Sequence, residues 1–125
     1  MLYEVETKDK FEEVVESFEE KAKESNFGVL KTYNFKELLH EKGHPIEEEI
    51  VVFEICHPKY AQQILTRENR ISSFLPCRVA VIRKGENAVV SAPSPVKMVE
   101  MLDMEEVKDI AEEVDKIIKE ILSKF

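Results

Sequence analysis

The sequence predicts an α+β domain, a two-layer sandwich in which a mainly antiparallel sheet of about five strands is backed by helices. Three observations carry that prediction. Segments of strand character alternate with segments whose apolar residues repeat at helical spacing. Lys84-Gly85-Glu86-Asn87 joins two short apolar runs as a hairpin turn would, so at least one strand pair is antiparallel. The chain has 125 residues, 43% hydrophobic and 35% charged, which is enough for one hydrophobic core and too little for two. Residues 1–125 are therefore read as a single domain.

Each element has its own local reason. Residues 2–6 alternate Leu2, Glu4 and Glu6 against Tyr3 and Val5, as a short strand does. Asp9 with Glu12 has the spacing of a capping box, and Phe11, Val14, Val15, Phe18 and Ala22 continue as a helical stripe ending near Asn26. Phe27 to Tyr33 is rich in β-favouring residues. Asn34 with Glu37 caps a second, short helix that Gly43 and Pro45 stop. Residues 50–56, Ile-Val-Val-Phe-Glu-Ile-Cys, are apolar on both faces and predict an interior strand. Pro58 suits a first helical position with His57 as N-cap, and Tyr60, Ala61, Ile64 and Leu65 share one face of the helix that follows. Pro76 opens a strand from Cys77 to Ile82, and the hairpin returns as Ala88 to Ser91. Ser94-Pro95 begins a short helical turn. Asp103 with Glu106 is the expected cap of a last helix with a wide apolar stripe from Val107 to Phe125.

Composition narrows the function classes. Lys plus Arg is 18 and Asp plus Glu is 26, a net charge of -8, with a pI near 5.0. Such a chain repels phosphate backbones, so no nucleic-acid partner is expected. Three Gly exclude Gly-rich phosphate loops and collagen-like repeats. The N-terminus lacks a basic start followed by an apolar stretch, and no apolar run approaches the roughly 18 residues of a membrane span. No membrane partner is expected, and a cytoplasmic location is, where thiols stay reduced.

Charge is unevenly distributed. From His57 to Lys84 there are six basic residues against Glu68 alone, and all four arginines lie within residues 67–83. Forked guanidinium groups suit carboxylate or phosphate, and a helix starting at Pro58 offers free N–H groups, so a small anionic ligand is one reading. Pairing with the acidic first and last helices is the other. Cys56 ends one strand and Cys77 begins another. As antiparallel neighbours those strands would bring both sulfurs to one sheet edge beside His57. A redox dithiol or a soft-metal site of Cys56, His57 and Cys77 competes there with two small buried core residues. His40 and His44 straddle Gly43 and lack a third ligand, so they read as solvated or capping residues. Glu54 is the only acid inside the apolar strand. It either faces water or meets an arginine or a ligand.

At residues 54–61, Glu-Ile-Cys-His-Pro-Lys-Tyr-Ala, and 75–81, Leu-Pro-Cys-Arg-Val-Ala-Val, the chain resembles the domain of unknown function 302 family. The Phe27-Gly28-Val29 strand after an acidic helix and the Glu-rich approach to Ile50 also match it. The resemblance covers residues 1–95, with a last helix over about 104–124 as closing element or extension. One departure is His57, where the family usually shows Asn. The resemblance implies a TATA-box-binding-protein-like curved sheet backed by helices, often in dimers, and so a homodimer here. It carries no agreed activity, and it leaves the cofactor unknown. It points to Cys56, Pro58, Pro76, Cys77 and Arg78 as the shared site.

These readings give three expectations. The first is a binding module for an anionic or thiol-reactive small molecule, with Arg70 and Arg78 gripping the anion, the helix at Pro58 donating N–H groups, and Cys56, His57, Pro76 and Cys77 completing the site. The second is a cysteine-based redox or soft-metal handling protein. The third is an enzyme with Glu54 as base, for which no second catalytic group is identifiable.

Overall fold

The computed structural model describes residues 1–125. Strands β1 (Leu2–Glu6), β2 (Gly28–Asn34), β3 (Ile50–Cys56), β4 (Cys77–Lys84) and β5 (Asn87–Pro93) form one sheet in the order β1-β5-β4-β3-β2. Every neighbouring pair is antiparallel. Helices α1 (Phe11–Lys23), α2 (Phe35–Glu41), α3 (Pro58–Arg67), α4 (Pro95–Met101) and α5 (Lys108–Leu122) complete the α+β fold.

The core lies on the sheet face that carries Val51, Phe53 and Ile55 of β3, Val79 and Val81 of β4, and Ala88, Val90 and Ala92 of β5, all buried. Phe18 of α1 stacks on Phe53 with ring centroids 4.2 Å apart, and on Phe125 at 5.8 Å. Apolar residues on both faces of β3 correctly place it inside the sheet, yet only alternate ones are buried. Val52, Glu54 and Cys56 stay partly exposed, because α1 and α5 cover one face and leave the other without a helical layer.

Two expected caps are replaced. Helix α1 has Lys10 at its N-cap with no side-chain bond. The approach is held by the sheet: Thr7 Oγ1 donates to the Asp9 carbonyl and accepts from Ala88 N, and Phe11 N donates to the Glu86 carbonyl. Asp103 does not cap α5. It takes φ 56° in the turn closing α4, where its N–H donates to the Glu100 carbonyl. Its tolerance of left-handed backbone makes it a helix stop, and α5 follows a 3-10 turn at Glu105–Val107. The expected caps at Asn34 and Ser94 form, accepting from Glu37 N and Lys97 N. Gly85 takes φ 63°, the backbone the β4–β5 hairpin needs.

Candidate functional site

Strand β3 ends at Cys56 and β4 begins at Cys77, and the two strands are antiparallel neighbours with Ile55 opposite Cys77. Both cysteines therefore lie at one sheet edge, as free thiols. Between them the chain leaves the sheet through α3 and a 3-10 turn at Asn69–Phe74, then returns through a cis peptide bond at Leu75–Pro76. This excursion and the sheet edge line an open cavity of about 310 Å³. Of its 14 lining residues 11 are hydrophobic, so it suits an apolar occupant. Cys56, His57, Pro76 and Cys77 all line it, with Tyr60, Ala61 and Leu65 of α3 opposite.

Sequence position alone does not make α3 a wall. Its stripe of Tyr60, Ala61, Ile64 and Leu65 follows the expected spacing, but only Ile64 is buried. The remaining apolar residues face the cavity. A register shift between Val29 and Lys31 in β2 turns Leu30 out. Leu30 is 65% exposed at the cavity rim.

His57 occupies the N-cap of α3 without a side-chain capping bond. Its ring meets Phe27 edge-on at 5.4 Å and Tyr60 at 4.6 Å. Nδ1 is buried and has no hydrogen-bond partner. Burial lowers the His57 pKa below its ordinary value, and the Lys59 charge adds to this, so the ring is neutral at pH 7. Burial also pushes the Cys77 thiol up to about 11, with Cys56 adding to the effect.

The arginines sit elsewhere. Arg70 is clamped by Glu68 through Nε and Nη2, both at 2.7 Å, and lines neither apolar cavity. A local carboxylate satisfies it, so the structure does not bring it to the cysteines. Arg67 donates to both oxygens of Asp109. Arg83 pairs with Glu12 and Glu49. Pairing with the first and last helices thus explains Arg67 and Arg83. Arg78 lies 3.2 Å from Glu54 as an ion pair, and its guanidinium makes no hydrogen bond. It lines a second cavity of about 170 Å³ beside the first. Pro58 begins α3 but lines neither cavity.

One alternative is corrected, and for Glu54 one of the open alternatives is found. No three His, Cys, Asp or Glu side chains, Cys56–His57–Cys77 included, come together in a way that could hold a metal ion. Glu54 meets an arginine, one of the alternatives read for it. It accepts from Tyr33 Oη at 2.8 Å and pairs with Arg78, an arrangement that spends its oxygens on neighbours instead of on a substrate. Among the cavity residues that sequence reading did not assign to a site are Leu30, Tyr60, Leu65 and Leu75. The one available signal was the apolar stripe of a helix too short to bury it.

The fold and this edge define a class: an antiparallel α+β sandwich with an apolar cavity walled by two strand ends and one helix. The chain belongs to the family described as domain of unknown function DUF302, whose model matches residues 3–125. The match includes α5, which agrees with the last helix being the family's closing element. The fold is shared with the crystal structure of an uncharacterized conserved protein DUF302 from Bacillus stearothermophilus, at a TM-score of 0.91 and 30% identity over 98% of this chain and 95% of that one. No curated protein matches the sequence. No helix is long and apolar enough to cross a membrane.

Proposed function

We propose that the protein is a small-molecule binding module that holds a compact, mainly apolar and thiol-reactive ligand in the cavity at the Cys56–Cys77 edge. The observation that carries this reading is the cavity itself: about 310 Å³, mostly apolar, with two thiols and a neutral imidazole in its wall. That volume sits at the lower end of ligand pockets. No basic side chain lines this cavity, so it supports the thiol-reactive half of the expectation over the anionic half.

The reactive partner would be Cys56, because the raised pKa of Cys77 keeps it a thiol at neutral pH. With an activated alkene, a carbon–sulfur bond forms, the carbon–carbon π bond breaks, and the thiol proton ends on the adjacent carbon. The test compares N-phenylmaleimide with a maleimide bearing a charged, hydrophilic substituent. Cys56 should react faster with the phenyl compound, and Ala61→Trp, which fills the cavity, should abolish that preference. Equal rates, or a preference that survives Ala61→Trp, would overturn the reading.

A cysteine redox pair is the second reading, favoured by the adjacent strand ends. Intact mass after diamide treatment separates the two: loss of two hydrogens from a monomer supports the pair, and an unchanged mass rejects it.

A further inference from the structure

Helices α1 and α5 pack on the core face, and the other face of the sheet carries no helical layer. Strand register fixes which side chains stand on it. Val52 of β3 lies opposite Ala80 of β4, and Ile82 of β4 lies opposite Val89 of β5. All four are only partly buried. They form an apolar patch across the three inner strands, a feature that marks interaction surfaces.

Charged residues flank the patch in equal numbers. On this face Glu4, Glu6 and Glu54 stand against Lys31, Arg78 and Lys84, so it is neutral in a chain of net charge -8. Glu6 pairs with Lys84, and Glu54 with Arg78. Glu4 on the outer strand β1 and Lys31 on the outer strand β2 make no ion pair. The Lys31 amine lies instead over the Tyr33 ring, 5.1 Å from its centroid.

An acid and a base are thus left free at opposite edges of one face, which a second copy would satisfy. A twofold axis between two such faces, running along the central strand β4, carries β1 of one copy over β2 of the other. Glu4, Ser91, Ala80, Val52 and Tyr33 lie in one row across the sheet. Ala80 of each copy would therefore meet Ala80 of the other at the axis, where small side chains allow close approach. Glu4 would meet the Tyr33 ring and the Lys31 amine above it. Five strands about 4.8 Å apart and about 20 Å long give each face about 500 Å². Two such faces bury about 1,000 Å², the threshold for a specific interface.

We infer that this face docks a second copy of the chain, sheet against sheet, with the Val52–Ala80–Ile82–Val89 patch at its centre and two Glu4–Lys31 pairs at its edges.

The test is sedimentation velocity on the purified protein over about 1–100 µM, with circular dichroism to confirm that each variant is folded. The wild type should sediment as a dimer at the upper end of that range. Ala80→Arg puts a charge on the axis and should leave a folded monomer. Glu4→Lys and Lys31→Glu alone should each weaken the dimer about tenfold, because two pairs turn repulsive. The double variant Glu4→Lys/Lys31→Glu should recover to within about threefold of the wild type. These surface reversals decide the matter even if Ala80→Arg does not fold. A wild type that stays monomeric throughout would overturn the inference. So would a dimer that survives Ala80→Arg, or single reversals whose losses add in the double variant.

Discussion

Two neighbouring residues of α5 face two regions that treat buried polar groups in opposite ways. Val114 lines both apolar cavities. Asp115, 6% exposed, is the centre of a saturated polar cluster. It accepts from Tyr3 Oη at 2.7 Å, Ser94 Oγ at 2.8 Å and Val96 N at 3.3 Å, and Lys119 lies 3.6 Å away. These bonds tie β1, the start of α4 and α5 together. Across the core, His57 Nδ1 is buried with no partner. Arg83 Nε also lacks a well-aligned bond, but it faces Glu49 at 2.5 Å. The difference teaches where the fold is fastened and where it is left open. A satisfied buried network fixes a single arrangement. An unsatisfied atom beside a cavity marks a place shaped by something besides stability.

The largest way to break the comparison is Asp115→Ala. It strands the buried Ser94 hydroxyl and frees Tyr3, and it should cost about 3 kcal/mol in urea unfolding. A loss below about 1 kcal/mol would show that the cluster is not a fastening.

Thiol reactivity sharpens the cavity side. At pH 8 iodoacetamide should label Cys77 at least about tenfold more slowly than Cys56 in the native protein, and at a similar rate in urea. Peptide mass spectrometry reads both rates. Equal native rates would mean that burial does not protect Cys77.

His57→Phe removes the unpartnered nitrogen while keeping a ring against Phe27 and Tyr60. It should raise stability by about 1 kcal/mol. A loss instead would place His57 among the fastenings.

The pH profile separates the regions with smaller effects. The folded pKa of His57 is depressed, so between it and the unfolded value of about 6.5 the unfolded chain binds more protons. Stability should therefore fall as pH drops below about 6.5, and His57→Phe should remove that step. For Asp115, burial opposes ionisation most strongly, but the Tyr3 and Ser94 hydrogen bonds, Val96 N and the Lys119 charge together hold the carboxyl below its ordinary value. Its stabilisation is complete above the unfolded pKa of about 3.9 and is lost as pH falls through the folded one. Glu68, held down to about 2 chiefly by Arg70, titrates in the same acid range. Only the step near neutrality should vanish in His57→Phe.

Much of this was legible in the sequence. Alternation and helical spacing are local signals, so all five strands and four of the five helices could be read from runs such as Ile50–Cys56 and Val107–Phe125, while α4 was legible only as a short helical turn after Ser94. The adjacency of the strand ends carrying Cys56 and Cys77 was also legible, since a hairpin-rich chain brings the ends of β3 and β4 together. The Asp9 and Asp103 caps were misread because capping spacing recurs wherever Asp and Glu are frequent, and long-range bonds from the hairpin and the α4 turn decided between candidates. Arg70 could not be separated from Arg78 by sequence. Both are basic residues in one positive segment, and which guanidinium a carboxylate satisfies depends on side chains brought close by folding. The cavity is likewise a tertiary property. Sequence set which faces of α3 and the strand ends are apolar, but the volume between them arises only because α3 stands off the sheet edge far enough to leave Tyr60, Ala61 and Leu65 lining space instead of core.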